Sequence, residues 1–176
     1  MDLNPQGNPV KIGIRMFGEF SITINGNTLT NFKGRTKRVW MLIQYLVARR
    51  SDPAPMERLL RDIWDGKNCG DPANALKNLV YRARALLRGL SGDRSQFIVF
   101  LNGTYAWNNQ YECEIDAEKF LKYAERAGRK DLPPERRIRW YREAIGLYRG
   151  GFLPKSAYST WAITLSARYA GLYNRC

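Results

Sequence analysis

Asn74, Lys77, Asn78, Tyr81, Arg82 and Arg88 recur at helical spacing, with Ala85 among them and Arg84 on the flank, and no Asp or Glu interrupts the chain between Asp71 and Asp93. Coiled into a helix, this set makes one face of cations, amides and a phenol, without an acid. The chemistry open to such a face is non-covalent recognition of a polyanion. Arg and Lys meet guanine or phosphate, Asn reads adenine, and a small residue permits close approach. The plain alternative is the solvated side of an amphipathic helix. Bond-making chemistry has little to draw on. The chain has no His, hence neither the commonest general base nor the commonest metal ligand. It also lacks a Gly-rich phosphate loop, a nucleophile elbow and a cluster of spaced carboxylates. The pairs Asp62/Asp65 and Glu112/Glu114 read as a helix end and a solvated strand end. Cys69, Cys113 and Cys176 are odd in number and far apart, which suits free thiols in a reducing compartment. The expectation is a protein with no enzymatic activity, cofactor or metal.

The elements that must position this face can be read on either side of it. Leu76, Leu79, Val80, Ala83, Leu86, Leu87 and Leu90 form the opposite, apolar stripe of a helix over 73–90, opened by Asp71-Pro72 and closed by Ser91-Gly92. Upstream, residues 10–17 alternate as a half-buried strand, Phe20, Ile22 and Ile24 repeat the pattern, and Asn25-Gly26 supplies a tight hairpin turn. Thr36 is placed to cap a core helix running to about residue 49 through Val39, Trp40, Leu42, Ile43, Leu46 and Val47. Lys33, Arg35, Lys37 and Arg38 surround its start, within reach of phosphate. Residues 51–55 break the chain, and 56–64 predict a short helix buried through Leu59, Leu60, Ile63 and Trp64. After Gly92, residues 97–101 and 104–107 flank Asn102-Gly103 as a second hairpin. Sheet, three helices and hairpin in that order describe an α+β fold, a winged helix-turn-helix over 10–110 behind a flexible tail at 1–9. Its third helix enters the major groove, and Asn102, Thr104 and Tyr105 of the wing, with Thr36, approach the phosphate backbone. A small α+β domain whose hairpin only covers core is the competing description.

From Glu112 helical periods take over, predicting a second, all-α part over 111–176. Phe120, Tyr123, Ala124 and Ala127 mark one helix, and Ile138, Tyr141, Ile145 and Tyr148 mark another after Pro133-Pro134 and before Gly150-Gly151. Trp161, Leu165, Tyr169 and Leu172 mark a third. Helix pairs that bury their stripes by stacking leave an open face where the array is cut, so the sequence reads as a truncated piece of a longer protein. The formal charge of +13 over 176 residues, from 29 Lys+Arg against 16 Asp+Glu, points to a polyanionic partner. No early apolar run resembles a signal peptide, and the apolar stretch 39–48 is too short for a bilayer. A cytoplasmic, nucleoid-associated protein without membrane contact is expected.

Several segments together resemble a known arrangement: the OmpR/PhoB-type winged helix joined to a bacterial transcriptional activator domain, as in SARP and AfsR-type regulators. Leu59-Leu60-Arg61-Asp62-Ile63-Trp64 is similar to the family's second helix, and Asn74-Ala75-Leu76, Asn78-Leu79-Val80-Tyr81-Arg82 and Arg84 to its recognition helix. Glu114-Ile115-Asp116, Phe120 and residues 144–154, through Gly150-Gly151-Phe152-Leu153-Pro154, resemble the opening and signature turn of the activator domain. The resemblance implies tetratricopeptide-like helices in the second half. It further implies a transcriptional activator that binds double-stranded promoter DNA, self-associates on direct repeats and recruits RNA polymerase. By position, Asn74, Asn78, Tyr81, Arg82 and Arg84 face bases or nearby phosphates, and Lys77 and Arg88 the backbone. Asp65, Gly66, Lys67, Asn68 and Asp71 correspond to the loop that touches polymerase. Related wings carry Arg near the turn, where this chain has Leu101-Asn102-Gly103-Thr104-Tyr105. Two other classes compete: a helical protein-interaction module lined by Tyr123, Trp140, Tyr141, Tyr148, Tyr158 and Trp161, and an RNA-binding protein.

Overall fold

The computed structural model describes residues 10–30, 36–64, 70–92 and 95–176, so the expected tail at 1–9 lies outside the described residues. The chain groups into two compact units, Met1–Ile12 with Thr23–Glu112, and Gly13–Ile22 with Cys113–Cys176.

Alternation begins the structure, in two strands whose residues are divided between the two units. Strand β1 (Ile12–Arg15) and strand β2 (Ser21–Ile24) bury Ile12, Ile14, Ile22 and Ile24. Asn25 and Gly26, at φ 50° and 86°, turn β2 into β3 (Asn27–Leu29), the left-handed pair such a hairpin needs. Helix α1 (Lys37–Ala48) is enclosed on every side from Val39 to Val47, Gln44 included. Thr36 does not cap it with its side chain: no capping hydrogen bond forms, because its backbone is already helical (φ −91°, ψ −6°) instead of extended. Strand β4 (Ala54–Pro55) leads into α2 (Met56–Trp64), where Leu59, Ile63 and Trp64 are buried and Leu60 only partly. The Tyr45 hydroxyl donates to Asp62 at 2.8 Å and ties α1 to α2. Helix α3 (Pro72–Ser91) follows, then β5 (Ile98–Leu101) and β6 (Thr104–Trp107), joined through Asn102 and Gly103 at φ 49° and 77°. The residues read as a chain break therefore include a strand: β4 pairs with β6, Ala54 opposite Tyr105 and Pro55 opposite Thr104, giving the order β4-β6-β5. Proline is compatible with this edge position, where its missing N–H is not needed.

The second unit opens with a correction. Strand structure does not stop at Glu112, because β7 (Cys113–Ile115) joins the N-terminal strands in the order β3-β2-β1-β7. Three residues are too few for a period of two to be legible. Helices α4 (Asp116–Gly128), α5 (Pro134–Leu147) and α6 (Thr160–Tyr173) follow, with a 3-10 turn at Pro154–Ser156. The Asp116 carboxylate accepts from the backbone N–H of Met16 (2.7 Å), Phe17 (3.2 Å) and Ala117 (2.7 Å). Phe17 sits among Phe120, Tyr148, Phe152 and Tyr169, its ring centre 5.4, 4.8, 6.2 and 5.3 Å from theirs. Beside it, Gly18 N–H donates to Gly151 O (3.0 Å) and Leu153 N–H to Met16 O (2.9 Å).

The stripe expected on α5 is rotated. Ile138 and Ile145 are 50% and 40% exposed, and the buried residue is Ala144. Packing against α4 selects the neighbouring stripe: Arg137 Nε donates to Ala127 O at 2.9 Å, Trp140 meets Tyr123 at 5.2 Å, and Ala144 fills the seam. One residue along a helix is about 100°, enough to turn an apolar row to solvent. On α6, Trp161, Ala162 and Tyr169 are buried, while Leu165 and Leu172 are partly so.

Candidate nucleic-acid interface

Local signals set both ends of α3. The Asp71 side chain accepts from Asn74 N–H at 3.0 Å, Pro72 begins the helix where its missing N–H costs nothing, and Gly92 ends it at φ 71°. Leu76, Leu79, Val80, Ala83 and Leu87 are buried, Leu86 and Leu90 partly. Burying each Leu or Val contributes roughly 1.5–3 kcal/mol, so the rotation of the helix is strongly specified. The other side is consequently solvent-facing: Asn74, Lys77, Asn78, Tyr81, Arg82, Ala85 and Arg88 are all exposed, Tyr81 to 67%. Asn78 Nδ2 lies 3.5 Å from Asn74 Oδ1, which aligns the two amides along one edge. No carboxylate occurs within α3.

Arg84 differs from these exposed residues. It is half-buried, and its Nε donates to Ile98 O at 3.0 Å, a hydrogen bond that braces α3 against β5. The reason is its flank position, next to the buried Ala83 and Leu87. A cleft of about 300 Å³ lies between α3 and the segment before β5, lined by Tyr81, Arg84, Arg88, Ser95, Gln96 and Phe97.

The wing presents Asn102 to solvent and Thr104 in part, the Thr104 hydroxyl donating to Leu101 O at 2.8 Å. Tyr105, expected at the phosphate backbone, is instead only 8% exposed, its ring 4.6 Å from Phe100. Alternation along β6 sends Tyr105 and Trp107 to the same, inner face. The exposed apolar residues of the hairpin are Phe100, which covers the Tyr105 ring, and Leu101, both missed by a reading based on charge. Their signal was their place in β5, where two apolar residues precede the turn. At the start of α1, Lys37 and Arg38 are exposed and Thr36 is half-buried, and the Arg38 guanidinium lies 5.3 Å over the Trp64 ring. Lys33, Arg35, Asp65, Gly66, Lys67 and Asn68 lie outside the described residues. Asp71, grouped with that loop from the sequence, acts as the cap of α3.

The six aromatics considered as a partner groove do not line one. Tyr123 and Trp140 pair with each other, Tyr148 stacks on Tyr173 at 4.3 Å, Trp161 is buried and Tyr141 partly so. Only Tyr158 of the six is largely exposed. Among the described residues no group of His, Cys, Asp or Glu side chains could hold a metal ion, and no helix is long and apolar enough to cross a membrane.

Mixed α and β structure, with a winged three-helix unit ahead of a helical one, defines the class of fold. Within that class the chain is similar to Mycobacterium tuberculosis EmbR, solved in complex with a low affinity phosphopeptide, at a TM-score of 0.71 and 17% identity. The match covers 93% of this chain but 42% of the EmbR chain, and at this identity it is a likeness of fold. No protein-family model matches the sequence, and neither does any curated protein.

Proposed function

We propose that this protein is a sequence-specific, double-stranded DNA-binding transcriptional regulator of the SARP type, acting by binding and not by catalysis. The observation that carries the reading is the outward face of α3, on which Asn74, Lys77, Asn78, Tyr81, Arg82 and Arg88 stand exposed without an acid among them. Laid in a major groove, the face offers Asn78, Tyr81 and Arg82 to base edges, with Asn74 near the groove wall. Lys77 and Arg88 meet phosphates, joined by Lys37 and Arg38 of α1, by Arg35, which precedes it in the sequence, and by Asn102 and Thr104 of the wing. The resemblance to SARP regulators extends the reading to an activator that binds direct repeats as more than one copy and contacts RNA polymerase through residues 65–71. Its helices from α4 onward then act as a tetratricopeptide-like array.

Fluorescence anisotropy with promoter duplexes tests the reading. Neutralising about five phosphates gives a slope of roughly −4 to −5 in log affinity against log salt. Sites selected from a random duplex library should outcompete bulk DNA at moderate salt. Equal affinity for every duplex would sink it.

A further inference from the structure

A second basic site lies within the second unit, on residues none of which belongs to α3. A cleft of about 470 Å³ is lined by Arg126, Arg129, Leu132, Arg136, Arg139 and Trp140, with no carboxylate among these lining residues. That volume is in the range of ligand sites. Its guanidinium groups are differently engaged. Arg129 is paired with Asp131. Arg126 is half-buried and held 4.8 Å over the face of Trp140, whose ring is in turn 5.2 Å from Tyr123. This stack orients Arg126 without using its N–H donors. Arg136 and Arg139 are exposed, and among the described residues neither has a hydrogen bond or ion pair, although Glu135 and Glu143 share their helix. Arg137 shows the structural alternative: it turns to the end of α4 and donates to Ala127 O. Three like charges gathered at one cleft repel one another, and an anion with several oxygens relieves that repulsion.

We propose that this cleft binds a polyphosphate anion, with Arg126, Arg136 and Arg139 supplying the charge-assisted hydrogen bonds. Planar guanidinium forks suit phosphate oxygens, which accept paired N–H bonds in that geometry. Several forks around one cleft select a multiply charged group over a single carboxylate. The site does not depend on the DNA-binding reading, since none of its residues lies on α3 or the wing.

Isothermal titration calorimetry of the whole chain with inorganic triphosphate at fixed ionic strength tests the proposal, with orthophosphate, a nucleoside triphosphate and an oligoglutamate peptide as comparison arms. Saturable triphosphate binding is expected, tighter than orthophosphate. The double change Arg136→Gln with Arg139→Gln should weaken it by about tenfold or more. Both residues are exposed, and circular dichroism verifies that the variant is folded. Lys77→Gln with Arg88→Gln on α3 should leave triphosphate binding unchanged while weakening duplex binding, which separates the two sites. A nucleoside triphosphate binding better than triphosphate would identify a nucleotide as the source of the phosphates, and equal binding a free polyphosphate. Absence of saturable binding, unchanged affinity in the Arg136/Arg139 variant, or preference for oligoglutamate over triphosphate would overturn the proposal.

Discussion

Two arginines two positions apart on α3 have opposite fates, and the difference is testable. Arg82 faces solvent on the same side as Tyr81 and Asn78, whereas Arg84 is half-buried with its Nε on Ile98 O. Arg82→Ala is expected to lower affinity for the selected duplex by about 1–3 kcal/mol and relax preference at one base position. Lys77→Ala should weaken all duplexes alike and flatten the salt slope by about one unit. Arg84→Met should instead destabilise the winged unit by roughly 0.5–1.5 kcal/mol, the net worth of one hydrogen bond, in urea denaturation without DNA. Anisotropy on selected and random duplexes, alongside the urea midpoints, distinguishes the three; identical losses on both duplexes for Arg82→Ala and Lys77→Ala would contradict the division.

Between elements, two junctions have energetics that can be measured. The first joins the end of α1 to β4 and α2 through Asp52, which accepts from Arg58 Nη1 (2.9 Å) and Nη2 (3.0 Å) and from Arg49 Nη1 (3.3 Å). The Arg58 hydrogen bond, chiefly, holds the Asp52 carboxyl below its ordinary value of 3.8. A depressed carboxyl stabilises the fold at pH above its unfolded value, and that contribution disappears as pH falls through the folded one. The stability difference between the parent chain and Asp52→Asn should therefore shrink on acidification below about pH 4, read from urea midpoints at successive pH values. Solvent exposure of this pair keeps the effect small. The second junction is the Gly18 turn. At φ 71° a Cβ on Gly18 would lie 2.7 Å from the Arg149 carbonyl oxygen, a backbone atom that cannot swing aside. Gly92 has the same φ, and a Cβ there meets nothing within 4 Å. Gly18→Ala should cost more than Gly92→Ala, whose strain alone is about 1 kcal/mol or a little more, and the difference measures the clash in a paired urea experiment.

At the scale of the whole molecule, the division into units follows contacts and not chain order. Gly13–Ile22 groups with Cys113–Cys176 although about ninety residues intervene. Phe17 supplies the central ring of that unit's aromatic cluster, and Met16 and Phe17 supply the N–H donors that satisfy Asp116. A fragment of residues 111–176 should therefore lack cooperative unfolding by circular dichroism, and addition of residues 10–24 through a flexible linker should restore it. Cooperative unfolding of the short fragment alone would show that the N-terminal strands are dispensable to the helices.

What the sequence determined by itself is the local grammar. Asp71-Pro72 and Ser91-Gly92 bracket α3, Asn25-Gly26 and Asn102-Gly103 make the two hairpins, and the apolar stripe of α3 leaves its basic face outward. Each of these depends on interactions within a few residues, and so is legible without knowing what lies opposite. Tertiary structure decided whatever needed a distant partner. Ala54-Pro55 and Cys113–Ile115 are strands only because β6 and the N-terminal sheet offer them free edges, and neither is long enough to show a period. Tyr105 turned inward and Arg84 turned to Ile98 because β5 and β6 lie where they do. On α5, several stripes were apolar enough to bury, and contact with α4 chose the one through Ala144, leaving Ile138 and Ile145 in water. The arginine cleft has the same origin, since Arg126 and Arg136 sit on different helices and only the packing of α4 on α5 brings their charges to one opening.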